Sequence, residues 1–314
     1  LFETHADIAV SLWNKGDLDA AIESYEKAIL VNPNYALAYN NLGNVLKDKG
    51  DLRGALKGYQ KAIEIKSDYG DAYHNLGLAL TGKVFMEIYP GLDASIISLL
   101  EQKTFVRPRD LASAAVSLIK LSPPVKHTLL KYSGNTIEES FQEAVEELAA
   151  TPLLLKLMSV CALPDGELEK LLIRLRSLLL LNCADAADSV NILSFQSALA
   201  LQCFTNEYVY PETEKEVDAL KVLEASIDKC LLNGMQPNPV SVLCLASYRP
   251  LHDYRWCHLL SLSLELQEVG TRQILDIDEE EQLKSEMPIL AEITDNISSK
   301  VRDQYEANPY PRWV

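Results

Sequence analysis

Hydrophobic and polar positions in the first part of the chain repeat with a period of 34 residues. Residues 2–69 align with themselves at this offset, and side chains of similar size fall on one another. Small residues recur where two helices must approach closely, and large ones recur where a groove must be filled. The pattern therefore predicts pairs of helices that pack on their neighbours. The aligned sets are His5, Tyr39 and Tyr73; Ile8, Leu42 and Leu76; Gly16 and Gly50; Ala21 and Ala55; Tyr25 and Tyr59; and Ala28 and Ala62.

The repeated stretch resembles the tetratricopeptide motif. Its second copy reads AYNNLGNVLKDKGDLRGALKGYQKAIEIKSDY, which follows the L-G…A-x-x-x-F…A…P spacing of that helix-turn-helix unit. Ser67 replaces the proline that Pro33 supplies in the first unit, and the third unit loses the pattern after AYHNLGLAL. Because about two and a half repeats are fewer than the three usually needed for stability, we expect either that the array continues before Leu1 or that the following helices cap it.

Residues 86 to about 275 predict further helices without this period. Apolar residues recur there at intervals of three and four, and turn dipeptides separate stretches of helical length. Capping signals support several helix boundaries. They are the boxes Thr136-x-x-Glu139 and Thr213-x-x-Glu216, Asp165 before an apolar face of Leu168, Leu171, Leu172, Leu175, Leu178 and Leu179, the first-turn Pro152, and Gly234 at a helix end.

The predicted fold class is therefore all-α, a tetratricopeptide array followed by a helical domain. We expect the repeats at residues 1–85, the helical domain at residues 86–296 and an extended lead-in at residues 297–314. In that last segment Asn308-Pro309 and Tyr310-Pro311 disfavour helix, because the residue before a proline avoids the α region.

The acidic composition narrows the classes of partner. The net charge is −16, most of it in residues 86–314, and such a field repels nucleic acids and anionic lipids. No apolar run reaches the roughly 18 residues of a membrane span, and the amino terminus does not resemble a signal peptide. The six cysteines include no C-x-x-C pair, and we predict that they are small buried residues. We therefore expect a cytoplasmic protein that binds neither nucleic acid nor membranes.

A peptide-binding groove is predicted on the first helix of each repeat. Its sixth position is Asp7, Asn41 and Asn75 in successive units, and Asn44 lies one turn after Asn41. This series resembles the asparagine ladder of O-linked N-acetylglucosamine transferase arrays, in which amides bond a peptide backbone. The alternative is that these amides cap helices or pair between them. The basic clamp of chaperone-binding arrays is missing, since Ala6 and Asp71 occupy positions where that clamp has basic residues.

Few stretches suggest catalysis or metal binding. His252, Cys257 and His258 do not fall on one helical face, which argues against a zinc site. Asn206, Glu207 and Tyr208 stand at a predicted helix end, where polar residues usually satisfy loose backbone groups. Phosphate-binding loops and hydrolase motifs are missing from the sequence. We therefore predict no catalytic, cofactor-binding or metal-binding residue in this chain.

Three further stretches carry a resemblance to a family. LMSVCALPDGELEKLLIRLRSLLLL, ALALQCFTNEYVYPETEKE and ISSKVRDQYEANPYPRW resemble bacterial proteins that join a tetratricopeptide array to a class I S-adenosylmethionine-dependent methyltransferase domain. The resemblance implies that the last stretch lies just before that domain, so S-adenosylmethionine is expected only downstream. It also implies a strap that docks the next domain through Tyr305, Asn308, Tyr310, Arg312 and Trp313.

Two functions follow as expectations. The first is a non-catalytic region that recruits protein or peptide substrates for such a methyltransferase and regulates it. The second is a stand-alone tetratricopeptide scaffold or oligomerisation protein, with possible self-association through the repeats. If these residues contained an active site, NEYVY and PLHDYRWCHLL would be the only candidate stretches for it.

Overall fold

The structure is a computed structural model that describes residues 1–102, 104–132, 141–183 and 189–286. Helices and turns make up these ranges, and no β-strand occurs within them. This confirms the all-α class, with a tetratricopeptide-type array followed by further helices. The chain divides into two compact units, Leu1–Pro123 and Pro124–Val314.

The first unit contains two complete helix pairs and a third first helix. Each pair turns at a glycine with positive φ, Gly16 at +81° and Gly50 at +89°, a conformation that favours glycine. An aspartate then caps the second helix, because the Asp17 and Asp51 carboxylates accept backbone N–H groups. The helices of this unit are α1 (Phe2–Asn14), α2 (Leu18–Val31), α3 (Ala36–Asp48), α4 (Leu52–Ile65), α5 (Gly70–Leu80), α6 (Leu92–Gln102) and α7 (Pro108–Leu121).

Close packing within a pair depends on small residues. A Cβ atom placed on Gly43 of α3 would lie 2.6 Å from Cε1 of Tyr59, which is fully buried on α4. The equivalent Tyr25 of α2 is also fully buried. Ser67 in place of proline does not lengthen α4, since Lys66 N–H bonds to the Ala62 carbonyl just as an equivalent bond closes α2.

The third unit stops after α5, as the sequence predicts. Phe105 and Val106 cover this helix instead of a second repeat helix. The Phe105 ring stacks on Tyr73 with centroids 5.5 Å apart, and Val106 lies so close that a Cβ atom on Gly77 would overlap it. Helix α7 packs against α5 as well. The compact unit therefore extends to Pro123, whereas the division after residue 85 stays a prediction from the repeat pattern.

The second unit is built around α12, most of whose residues after Asn191 are buried. It packs against α9, α10 and α14. A π-helical segment, Thr271–Leu275, joins α15 to α16, and short 3-10 turns occupy Leu251–Asp253 and Cys257–Leu259. The helices are α8 (Pro123–Lys131), α9 (Phe141–Ala149), α10 (Pro152–Val160), α11 (Gly166–Leu181), α12 (Val190–Thr205), α13 (Glu214–Leu232), α14 (Pro239–Ala246), α15 (Gln267–Gly270) and α16 (Asp276–Glu286).

Most predicted boundaries of this unit are confirmed. Asp165 accepts two N–H groups at the start of α11, and Thr213 and Glu216 form a complete capping box at the start of α13. Pro152 lies in the first turn of α10, and Gly234 ends α13 with φ of +69°. Of the predicted leucine face of α11, all members but the half-buried Leu178 are buried. Thr136 and Glu139 lie outside the described residues.

The six cysteines are free thiols. Cys161, Cys203, Cys244 and Cys257 are buried, as predicted, whereas Cys183 and Cys230 are only half-buried. Within the described ranges no helix combines the length and the apolar character that crossing a membrane requires.

Candidate protein-binding surface of the repeats

The predicted groove residues lie at equivalent positions of α1, α3 and α5. Asp7 is exposed, whereas Asn41, Asn44 and Asn75 are half-buried. A hydrogen bond joins two of these helices, because Asn75 Nδ2 of α5 donates to Asn40 Oδ1 of α3 over 3.0 Å. Equivalent positions on consecutive first helices thus form one surface, which we call the first-helix face; it is made by α1, α3 and α5.

Asn40 is a buried residue that the sequence analysis did not select. It accepts from Asn75 and donates through its own Nδ2 to Asn41 Oδ1 over 3.2 Å. The three amides therefore form a relay from α5 to α3. Asn40 occupies the position one residue before the predicted ladder, aligned with Ala6 and His74. Because Ala6 and His74, which align with Asn40, differ from it in type, the 34-residue period does not indicate a role for this position.

Asn44 is also engaged within the array. Its Oδ1 accepts a hydrogen bond of 2.8 Å from the hydroxyl of buried Tyr59. The first repeat has Val10 at this position, and the hydroxyl of buried Tyr25 has no hydrogen-bond partner. Burial raises the pKa of Tyr25, and the nearby Asn41 amide partly opposes this shift without forming a hydrogen bond of ordinary geometry.

Carboxylates and phenols share the first-helix face. Burial raises the pKa of Tyr35, and the negative charges of Glu3 and Asp7 raise it further. Burial and the Asp71 charge raise the pKa of Tyr69, and Tyr35 adds to that effect. The acids of α1 and α5 therefore flank a pair of phenols that precede α3 and α5.

Aliphatic side chains are exposed on the same helices. Val10 is 37% exposed, Leu37 42% and Leu78 53%. Val10 and Leu78 are equivalent to Asn44, one turn beyond the amide series. The face can thus offer amide hydrogen bonds, negative charge and apolar contact to an extended segment of another protein.

Comparison with protein families decides the nature of the array. A family model described as TPR repeat matches residues 12–50 and 43–83. Residues 12–83 are tetratricopeptide repeats. The two matched segments overlap; the first contains α2 and α3, and the second contains α4 and α5. A comparison with curated proteins finds no match. Tetratricopeptide repeats generally bind protein or peptide partners, so the array is a protein-interaction element.

The second unit contains a buried polar network. Arg176 of α11 lies 4.0 Å from the ring centroid of Tyr248, whose hydroxyl donates to Glu216 over 2.6 Å. Burial would raise the pKa of Glu216, but hydrogen bonds from Tyr248 and Thr213 together lower it. Arg176 also donates to the carbonyl of Pro211, whereas its Nε has no partner.

The stretch Asn206-Glu207-Tyr208 is the end of α12, as predicted. Glu207 and Tyr208 both have positive φ, 57° and 56°, which is uncommon for residues with a side chain. The Tyr208 hydroxyl donates to the Ala246 carbonyl over 3.2 Å, and this contact fixes the turn to α14. The backbone N–H groups of all three residues bond to carbonyls near the end of α12.

The histidines and cysteine of PLHDYRWCHLL are not gathered into a metal site. Nδ1 of His252 contacts the Gln273 carbonyl at 3.1 Å, and Cys257 is buried in a separate 3-10 turn. Among the residues that the structure describes, no group of three or more histidine, cysteine, aspartate or glutamate side chains could hold a metal ion. The predicted strap residues Tyr305, Asn308, Tyr310, Arg312 and Trp313 lie outside the described residues.

Proposed function

We propose that the tetratricopeptide repeats hold an extended segment of a protein partner on the first-helix face, and that they recruit this partner as a substrate for an S-adenosylmethionine-dependent methyltransferase. The observation that carries the first part is the alignment of equivalent polar and exposed apolar positions on α1, α3 and α5, linked by the bond between Asn75 and Asn40. A surface that repeats along the array suits an extended ligand, because successive helices meet successive residues of it.

The amides that form the relay retain capacity for a ligand. A side-chain amide offers two N–H donors and two acceptor lone pairs. Asn75 uses one donor on Asn40, so its oxygen and second donor can face a peptide backbone. Asn41 uses its oxygen on Asn40 and retains its donors. Such bonds would hold a backbone without selecting its side chains.

The methyltransferase context rests on the motifs of the second unit. The first two stretches that resemble the methyltransferase-linked family form the end of α10, α11, the end of α12 and the start of α13, and the third lies outside the described residues. These helices hold the polar network and supply no glycine-rich loop for a nucleotide. We therefore assign recruitment of the substrate to this chain and binding of S-adenosylmethionine to a downstream domain.

A methyl-transfer experiment tests both parts. The full-length protein, which by this proposal includes the methyltransferase domain, and its Asn41→Ala/Asn75→Ala variant are incubated with a lysate and S-adenosylmethionine that carries a radioactive methyl group. We expect the variant to label its protein substrate several-fold less at low substrate concentration. Equal labelling by the two proteins would contradict recruitment through this face, and no labelling by either would contradict the methyltransferase context.

A scaffold that self-associates is the second candidate, and one observation favours it. Ile8 of α1 is 47% exposed, whereas the equivalent Leu76 is fully buried by neighbouring helices. The outer side of α1 thus has an apolar position that a second copy could cover. Sedimentation equilibrium of the chain and of its Ile8→Asp variant tests this candidate. A dimer that Ile8→Asp dissociates would support it, and a monomer at all concentrations would contradict it.

A further inference from the structure

We propose that the first-helix face selects a cationic partner, a segment of protein rich in lysine or arginine that also carries aliphatic side chains. This inference rests on the proposed function, because it names the chemistry of the segment that the repeats would hold. It is carried by the charge distribution of the array, by the phenols beside the carboxylates and by one buried hydroxyl without a partner.

The acids of the first-helix face are not neutralised. Glu3, Asp7 and Asp71 are exposed, and none of them forms an ion pair with a described residue. Most acids of the second helices differ, since Asp19, Glu23 and Glu64 each lie within 3.0 Å of a lysine nitrogen. Exposed charges that a fold leaves unpaired are available to a partner of opposite sign.

The basic groups near this face are few. Lys66 lies over the Tyr69 ring, with its nitrogen 5.4 Å from the centroid. The other basic residues on these first helices are Lys47 of α3, His5 of α1 and His74 of α5. The first helices carry four acids, Glu3, Asp7, Asp48 and Asp71, against one lysine, with Lys66 nearby. The face therefore remains an acidic surface even in an array whose charges are otherwise close to balance.

The phenols add a second means of holding a cation. Tyr35 and Tyr69 lie beside the acids, and the Phe2 ring packs edge-on against Tyr35 with centroids 4.9 Å apart. An ammonium or guanidinium group is attracted to an aromatic face as well as to a carboxylate. A surface that combines both suits lysine and arginine better than it suits uncharged side chains.

Tyr25 supplies an independent observation. Its side chain is fully buried, and its hydroxyl has no hydrogen-bond partner. Asn41 and Asp7 of the first-helix face are among the groups that shift the pKa of this hydroxyl. An unsatisfied buried hydroxyl is costly. A donor from the partner reaches this hydroxyl only by displacing the side chains that cover it, and the nearby charge of Asp7 attracts a donor that is positively charged.

The exposed aliphatic side chains of the face indicate which residues the partner should contain besides the cationic ones. Val10, Leu37 and Leu78 flank the amides, one on each of the helices α1, α3 and α5. Their burial by aliphatic side chains would add apolar contact to the charge pairs. The partner is therefore expected to alternate cationic and aliphatic residues rather than to be a uniform basic tract.

The test compares three labelled peptides on the same chain. Each has 12 residues of a repeated unit, Gly-Lys-Ser-Leu, Gly-Gln-Ser-Leu or Gly-Glu-Ser-Leu, and binding is followed by fluorescence anisotropy at low and at high salt. The variant Glu3→Gln/Asp7→Asn/Asp71→Asn removes the acids of the face. The matched variant Glu26→Gln/Asp93→Asn/Glu101→Gln removes the same charge from exposed residues on α2 and α6.

We expect the lysine peptide to bind about tenfold more tightly than the glutamine peptide at low salt, with the difference reduced at high salt. The face variant should lose most of this preference, and the matched variant should keep it. Equal binding of the lysine and glutamine peptides, or an unchanged preference in the face variant, would overturn the inference and leave peptide recruitment standing. Failure of all three peptides to bind would contradict both.

Discussion

Tyr59 in the first unit and Tyr248 in the second are both buried phenols that donate a hydrogen bond to a side chain. Tyr59 bonds to Asn44 of the neighbouring helix; the tyrosine recurs in the first repeat as Tyr25, whereas Val10 stands there in place of the asparagine. Tyr248 bonds to Glu216 and lies against Arg176, so it joins α11 and α13 in a contact that occurs once. The comparison shows that the array repeats the burial of a tyrosine ring without repeating its hydrogen bond, whereas the second unit joins its buried phenol to two charged side chains.

Removal of Arg176 should therefore have the largest effect. In the Arg176→Ala variant, Glu216 remains buried and loses the positive charge that helps to keep it ionised. Breaking such a buried charge arrangement typically costs about 3–5 kcal/mol of the free energy of unfolding. We expect a loss of this size in urea titrations followed by circular dichroism.

Arg255→Ala is the control for this variant. Arg255 is exposed and belongs to the same unit. Its removal should change the free energy of unfolding by less than about 0.5 kcal/mol. Similar losses in both variants would mean that the network around Arg176 contributes no more than a surface charge.

Acid should weaken the same network. The pKa of Glu216 is lower in the folded protein than in the unfolded chain, where it has the ordinary value for glutamate. The stabilisation is therefore present above the unfolded pKa and is lost as pH falls through the folded pKa. We expect the free energy of unfolding to decrease below about pH 4, near the ordinary glutamate value. The Glu216→Gln variant should show a shallower decrease, and an identical slope would contradict the assignment.

A smaller effect is expected where the array ends. In Gly77→Ala the new methyl group would overlap Val106. Such overpacking costs roughly 1–3 kcal/mol, against about 1 kcal/mol gained from the better helix propensity of alanine. We expect a net loss of up to about 2 kcal/mol in urea titrations.

The double variant Gly77→Ala/Val106→Ala sharpens this experiment. Val106→Ala removes the atoms that the new methyl group meets, so the alanine at position 77 should then be neutral or stabilising. If Gly77→Ala costs the same in both backgrounds, Val106 does not take the place of the missing second helix.

The two units also differ in how far the sequence predicts them. The array could be predicted because Gly43, Tyr59 and their equivalents repeat, and each copy supports the assignment of the others. Helix boundaries of the second unit could be predicted from local caps such as Thr213 and Glu216. The contact between Arg176 and Tyr248 could not, because it joins residues far apart in the chain and leaves no period.

The binding surface was predictable only in part. The positions of Asp7, Asn41 and Asn75 follow from the period, since equivalent residues fall on one side of successive helices. The role of Asn40 was missed, because a relay between amides depends on rotamers and on the spacing between α3 and α5. That the amides bind a peptide stays a prediction.

Within the array, Tyr59 and Tyr25 provide a matched pair of substitutions with moderate expected effects on the free energy of unfolding. Tyr59→Phe removes the hydrogen bond to Asn44, which should cost about 1 kcal/mol. Tyr25→Phe removes a buried hydroxyl that has no partner, so it should be neutral or slightly stabilising. Both are measured as free energies of unfolding, and equal costs would show that the two hydroxyls have equivalent surroundings.

The smallest effect should come from restoring the missing partner. Val10→Asn places in the first repeat the residue that Asn44 supplies in the second, and Tyr25 then gains an acceptor. The gain of about 0.5–1.5 kcal/mol from a hydrogen bond is offset by the loss of the half-exposed valine contacts. We therefore expect a net stabilisation of about 0.5 kcal/mol. The decisive measurement is a double-mutant cycle, because Tyr25→Phe should be costly only when residue 10 is asparagine. An unchanged effect of Tyr25→Phe in that background would mean that the two repeats differ by more than this one acceptor.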